Sequence, residues 1–240
     1  MRQAATDARG LIAAARDAGR AALSEAGAKA ILASFDIKVP RGITVPRGRK
    51  PSTCVGALAA PFAIKVVSQA ILHKSDVGGV RIGVAANDVD TAVADMEAGI
   101  AAKGLPIEGW LVEEMAPKGV EVVIGGTVDD RFGPCVMVGL GGVFIELIAD
   151  VAFRLCPITR RDAAEMLDEL RGVKLLRGWR GTQPADVKAV IDALVNVGGM
   201  DGLMLAFSGM IRELDINPLI VGKAGAVAAD ARIILERSAP

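Results

Sequence analysis

Apolar and polar positions along this chain follow two periods, and each change of period marks an element. Over residues 4–34 the pattern is helical. Leu11, Ile12 and Ala15, then Leu23, Ala26 and Ala30, recur among alanines and spaced charges. Two helices are predicted there, with Asp7 and Ser24 as candidate N-caps. Residues 37–45 (IKVPRGITV) read as a short strand bounded by turns, and 47–52 as a basic, proline-containing, solvated loop. Residues 64–84 read as strand, polar loop and strand. Asn87, Asp88 and Asp90 open an amphipathic helix over 91–103, and strands follow at 109–115, 121–128 and 136–138. A glycine loop at 139–142 leads into a further apolar run at 143–148. Helices are predicted over 159–170, with Thr159 as cap and Asp162 in the first turn, and over 185–199 after Pro184. Residues 211–221 and 226–233 close the chain as a hairpin. No repeat and no low-complexity linker interrupts this order.

The stretch 64–84 carries the first candidate chemistry. Its leading strand is apolar except for Lys65 and breaks at His73, Lys74, Ser75, Asp76, Val77, Gly78 and Gly79. Two glycines closing such a loop let backbone N–H groups approach an anion, and the lysine supplies the counter-charge. His73 is the single histidine of the chain. Its plain alternative is a satisfied surface or core residue; on this loop it is also placed to accept a phosphoryl group as a nucleophile.

The C-terminal hairpin carries the second. Period two puts Glu213, Asp215 and Asn217 on one face of their strand, with Leu214 and Ile216 on the other. A turn centred between Lys223 and Ala224 sets Asn217 opposite Asp230 on the same face. Such an oxygen cluster suits Mg²⁺, which takes one or two protein ligands plus phosphate oxygens; the alternative is an exposed polar face. Glu113 and Glu114, before Met115, end a strand where backbone groups could hold a nucleotide base, or are solvated charge.

Composition removes several function classes. Hydrophobic residues make up 52% of the 240, which predicts a well-filled α/β protein rather than disorder. The 28 basic and 28 acidic residues balance, there is no Tyr, and aromatics total 3%, so neither the charge nor the stacking surface of a nucleic-acid binder is present. The three cysteines, Cys54, Cys135 and Cys156, are far apart and read as free thiols in a reducing compartment. No signal-peptide pattern and no long uninterrupted apolar run is found, so a cytoplasmic protein with no membrane span is expected. Neither GxxxxGK[ST] nor GxGxxG occurs, which argues against P-loop and dinucleotide-binding folds.

Several long motifs then converge. ILHKSDVGGVRIGV, WLVEEMAPKGVEVVIGG, RFGPCVMVGLGGVFIELIADVAFRL, and ELDINPLIV followed by AVAADARI, in this order over roughly residues 23–233, resemble the ATP-grasp subunit of the NDP-forming acyl-CoA synthetases. That family includes ADP-forming acetate–CoA ligase and, more distantly, succinyl-CoA synthetase β. The resemblance implies an α/β (α+β) ATP-grasp fold in which two α+β subdomains hold the nucleotide. Residues 1–22 would form a helical extension, 23–60 plus 104–240 the larger subdomain, and 61–103 a smaller, lid-like one. It implies ATP or ADP and Mg²⁺ as cofactors. Lys65 would contact the phosphates, with Ser75, Asp76, Val77, Gly78 and Gly79 forming the loop over them. Glu113, Glu114 and Met115 would hold the adenine, and Glu121 would reach the ribose. Asn217 and Asp230 would bind Mg²⁺, with Asp215 in support. His73 matches a second phosphohistidine that shuttles the phosphoryl group. The family's CoA-binding domain and first active-site histidine do not occur in this sequence, so an α-type partner subunit is expected to supply them and to bind the carboxylic acid and CoA. Departures from the family pattern are the short 41–60 segment, Gln69-Ala70 and Asp130-Arg131. Two other readings stay open: a nucleotide-binding regulatory module, and an ATP-grasp carboxylate–amine ligase, which has no need of a loop histidine.

Overall fold

A computed structural model describes residues 2–71, 73–142, 149–181 and 183–236, the first helix being described by its backbone alone up to residue 6. The apolar run expected at 143–148 lies outside the described residues. The chain divides into two compact units, Met1–Val39 with Pro117–Pro240, and Pro40–Ala116.

The larger unit is built on an antiparallel sheet of strands β5 (Val120–Asp129), β6 (Gly133–Leu140), β7 (Val151–Leu155), β8 (Ile211–Gly222), β9 (Gly225–Ala228) and β10 (Ala231–Leu235), in the order β10-β8-β5-β6-β7 with β9 also on β8. Alternation along the strands fills one face: Val136, Val138 and Leu140 of β6 and Leu214 and Ile216 of β8 are buried in the core. Helices α1 (Arg2–Asp17), α2 (Glu25–Ser34), α4 (Arg160–Glu169) and α5 (Val187–Gly198) and the short α6 (Leu203–Ala206) contribute Ile12, Ile31, Leu32, Met166, Leu194 and Met204 to the same core. Thus α1 is an integral part of that core through Ala8, Ile12 and Ala15.

Local signals explain the helix boundaries. Ser24 accepts the Gly27 amide and starts α2; Thr159 and Asp162 form a reciprocal capping box on α4. Asp186, beyond Pro184, caps α5. Asp7 is a correction: it lies inside α1 and not at its N-terminus. The stretch Val187–Ala206 has a mean hydropathy of 1.4, enough by length and composition to cross a membrane, yet half of it is buried inside the protein and α5 ends within it at Gly198.

The smaller unit is a four-stranded antiparallel sheet, β1 (Gly42–Pro46), β4 (Gly109–Glu114), β2 (Phe62–Val67) and β3 (Val80–Val84) in that spatial order. Helix α3 (Val89–Ala101) packs Val89, Val93, Met96 and Ile100 on Phe62, Ile64, Val66, Trp110 and Val112. This sheet moves the expected subdomain boundaries. Strand β1 pairs with β4 and β4 with β2, so 40–60 and 104–116 fall in the smaller unit rather than the larger one.

Candidate functional site

In the smaller unit, Lys65 stands on β2 on the face opposite Ile64 and Val66, away from α3. It is 6% exposed, and its Nζ lies 3.4 Å from Oε2 of Glu113, itself 2% exposed, on β4. The two are diagonal neighbours across adjacent strands, since Lys65 pairs with Leu111 and Ala63 with Glu113. Gly42 faces Glu113 from β1, and a Cβ there would stand 2.7 Å from Glu113 Cγ. Glu113 therefore partners the lysine. Glu114 is also engaged: its Oε1 accepts from Arg41 at 3.2 Å and from the Ala59 amide at 2.9 Å. Met115 is exposed just beyond β4. A recess of about 350 Å³ lined by Arg41, Gly42, Ile43, Cys54, Ala57 and Leu58 adjoins this strand end.

The loop after β2 is a 3-10 turn over Ser75–Val77 closed by Gly78 in the left-handed region at φ 74°. That value is why glycine is needed there. Gly79 is needed for closeness, because a Cβ would meet Val66 Cγ1 at 2.6 Å and the Lys74 carbonyl at 2.9 Å. The amides of Val77 and Gly79 donate to the Lys74 carbonyl, and that of Gly78 to the Ser75 carbonyl. In this conformation the closing N–H groups are thus spent inside the loop. The expected anion cradle narrows to its start, at Ser75 and Asp76, both exposed beside exposed His73.

In the larger unit, β8 carries the oxygen donors. The turn falls at Lys223-Ala224, and β8 pairs Leu219 with Ala228 and Ile216 with Ala231. This register sets Asn217 across from Asp230, as the hairpin pattern predicts. The pairing breaks there for two residues, and the Ala229 amide bridges to the Pro218 carbonyl at 2.9 Å. Asp230 Oδ1 accepts the Ala231 amide at 2.7 Å. Asp215 lies between Gly125 on β5 and Arg232 on β10. Burial pushes its carboxyl above the ordinary carboxylate range; Arg232 opposes this, and the carboxylates of Asp230 and Glu213 add to it. Glu121 is exposed on β5; its carbonyl accepts the Gly141 amide, and a Cβ at Gly141 would meet Glu121 Cβ at 2.9 Å. Its side chain therefore stands over the glycine loop.

Among the described residues no three His, Cys, Asp or Glu side chains gather as a ready metal cage. The set present, Asp215, Asp230 and the Asn217 amide, still fits Mg²⁺, which needs few protein oxygens and takes the rest from water and phosphate. Burial is the main cause of the raised Asp215, and the carboxylate repulsion that adds to it is what a bound cation would relieve.

A second buried pair, in the larger unit, is likewise absent from the sequence reading. Lys29 of α2 is 3% exposed, donates to the Ala229 carbonyl at 2.8 Å and pairs with Glu25 one turn earlier at 2.9 Å. The i,i+4 spacing was visible, but it reads as an ordinary surface pair. Its burial follows from its neighbours Ala28, Ile31 and Leu32.

A two-sheet α/β chain with a lysine strand, a glycine-closed loop and a carboxylate hairpin matches a known family. Residues 14–235 match the ATP-grasp domain, and the chain belongs to that family. Within it, the chain is 38% identical over 217 residues to the β subunit of acetate–CoA ligase (ADP-forming) I of Pyrococcus furiosus, covering 89% of this chain and 91% of that one. It is also 38% identical to the acetate–CoA ligase (ADP-forming) I of Archaeoglobus fulgidus over 85% of its own length, but spans only 30% of that longer protein. Among solved structures, the dinucleotide-forming acetyl-coenzyme A synthetase 1 of Ca. Korarchaeum cryptofilum, in complex with coenzyme A, Ca-AMPCP and HgCl+, superposes with a TM-score of 0.88 at 38% identity, covering 95% of this chain and 99% of that one. A further structure of the same protein, with coenzyme A and Mg-AMPPCP and its phosphohistidine segment pointing towards the nucleotide-binding site, gives 0.80.

Proposed function

We propose that this chain is the ATP-binding, phosphoryl-transferring subunit of an ADP-forming acyl-CoA synthetase, converting carboxylate, CoA and ATP to acyl-CoA, ADP and phosphate together with an α-type subunit. The observation that carries the reading is His73, the one histidine, exposed on the loop between β2 and β3. A carboxylate–amine ligase has no use for a histidine there. The Korarchaeum relative with its phosphohistidine segment turned to the nucleotide supports the same role.

In this reading Lys65 neutralises charge on the phosphates, and Glu113 holds its ammonium until they arrive. The start of the loop, at Ser75 and Asp76, lies over the phosphates, with Val77, Gly78 and Gly79 fixing its shape. Glu113, Glu114 and Met115 line the adenine position, and Glu121 lies toward the ribose. Asp230 and Asn217, with Asp215 in support, hold Mg²⁺, which when bound neutralises phosphate charge. A ring nitrogen of His73 attacks the γ-phosphorus, the bond to the bridging β-phosphate oxygen breaks, and ADP leaves. The phosphoryl group then passes to the partner's acyl site, where the partner binds the acid and CoA. The three free thiols support a reducing, cytosolic setting.

The test is incubation of the chain with γ-labelled ATP and Mg²⁺, with and without an α-type subunit, beside His73→Ala and Asp230→Ala. Acid-labile, base-stable label that both substitutions abolish is the expected result. ATP binding without label, even with the partner present, would overturn the relay in favour of a regulatory nucleotide-binding module.

A further inference from the structure

Lys29 and Glu25 form an ion pair whose side chains are 4% and 5% exposed. The lysine reaches out of α2 to the Ala229 carbonyl, in the two-residue break between β9 and β10. Asp230 is the other residue of that break. The frame around it is tied down: the Leu23 amide donates to the Ile233 carbonyl, Ala22 bridges Ile234, and the Ala228 amide donates to the Lys38 carbonyl.

A buried ion pair is a poor choice for stability alone, since apolar side chains of similar volume fill such a space with no desolvation cost. This pair lies one peptide away from a candidate metal ligand, where the regular strand pairing is interrupted and the Ala229 amide still ties back to the Pro218 carbonyl. We infer that Lys29, held by Glu25, is a positioning residue for Mg²⁺: it clamps the Ala229 carbonyl and so fixes the backbone from which Asp230 is presented opposite Asn217. The inference rests on the reading of Asp230 as a Mg²⁺ ligand. Groups that orient a ligand from behind change metal affinity by about 10- to 100-fold when removed.

The experiment titrates ADP into the full chain by calorimetry across a series of Mg²⁺ concentrations, for wild type, Lys29→Met, Lys29→Arg, Glu25→Gln and Asp230→Asn. Lys29→Met is expected to raise the Mg²⁺ concentration at half-maximal coupling about 10-fold or more. ADP affinity without Mg²⁺ should stay within about twofold, and Lys29→Arg should recover part of the shift. Where Lys29→Met fails to fold, the double variant Glu25→Leu/Lys29→Met replaces the pair by apolar groups and is expected to show the same shift. A midpoint that moves in Asp230→Asn but not in Lys29→Met or the double variant would leave a structural pair only and overturn the positioning role. A midpoint unmoved in Asp230→Asn as well would overturn the metal reading and this role with it.

Discussion

Lys65→Met is the perturbation whose size the structure sets best. It removes the ammonium 3.4 Å from a carboxylate whose side chain is 3% exposed, leaving Glu113 charged inside the sheet. Removing one partner of a buried ion pair costs about 3–5 kcal/mol, whereas replacing both by apolar groups is close to neutral or stabilising. Glu113 has little room to escape, because Gly42 stands against its Cγ with space for a hydrogen and not for a methyl group. The upper half of that range is therefore expected for the single variant, and near-recovery for Lys65→Met/Glu113→Leu.

The chain has two tryptophans, and Trp110 on β4 is 1% exposed in the smaller unit. In a Trp179→Phe background, urea unfolding followed by Trp110 fluorescence reads that unit, which matters because a chain of two compact units need not unfold in one step. Nucleotide binding measured on the same proteins separates the two roles of the lysine. The double variant should regain stability and bind ATP no more tightly than Lys65→Met. A single variant that costs less than about 1 kcal/mol, or a double variant as unstable as the single, would refute the account of Glu113 as a charge that Lys65 compensates.

Gly79→Ala places a Cβ 2.6 Å from Val66 Cγ1 and 2.9 Å from the Lys74 carbonyl, so the backbone after His73 must shift. It should cost about 1–3 kcal/mol by urea unfolding and slow phosphorylation of the loop by up to about 100-fold in rapid-quench labelling, as expected for a displacement near 1 Å. Thr159→Ala should cost about 1 kcal/mol in thermal unfolding through loss of the α4 cap. Within that cap the Thr159 backbone amide and then its hydroxyl hold Asp162 below the ordinary value of 3.8. The contribution of Asp162 is therefore fully present above pH 3.8 and lost as pH falls through the lower folded value. The melting-temperature gap between wild type and Asp162→Asn should be open at neutral pH and close in acid; a gap that widens in acid would contradict the capping box.

Where the sequence carried local signals, the structure could be read from it. The hairpin expected at 211–221 and 226–233 is legible because Gly222 and Gly225 flank its turn, which sets the register with Asn217 opposite Asp230, although its second arm is divided into β9 and β10. The caps Ser24 and Thr159 are legible because capping is chemistry within four residues. Strand β7 was missed because Phe153 and Leu155 are 56% and 54% exposed, so its apolar residues do not mark the buried face. The unit boundaries were missed because β1 finds its partner β4 far along the chain. The Lys65–Glu113 pair depends on β4 lying beside β2, a crossover that no local pattern announces. The sequence pattern offers the loop glycines as amide donors to a ligand, but which carbonyl an amide turns to is settled by packing against Val66.

The placement of buried charge sharpens this. Among the described residues only Lys29, Lys65, Glu113 and Asp150 are buried polar or charged side chains. Asp150 answers a structural need, accepting the Arg171 and Gly172 amides at 2.9 Å each. The other three belong to two lysine–glutamate pairs, one in each compact unit, and neither pair is where folding alone would choose to put a charge. Each unit keeps a buried lysine at its own candidate site: one on the strand that leads into the His73 loop, the other behind Asp230. In the proposed reading Lys65 meets phosphate charge and Lys29 holds the backbone behind Asp230, and a glutamate beside each keeps the ammonium paired. Disrupting Glu25 alone should accordingly weaken Mg²⁺ coupling in the calorimetric titration even though that carboxylate faces Lys29 and not the ligand, and disrupting Glu113 should weaken nucleotide binding both through Lys65 and at the adenine position it is proposed to line.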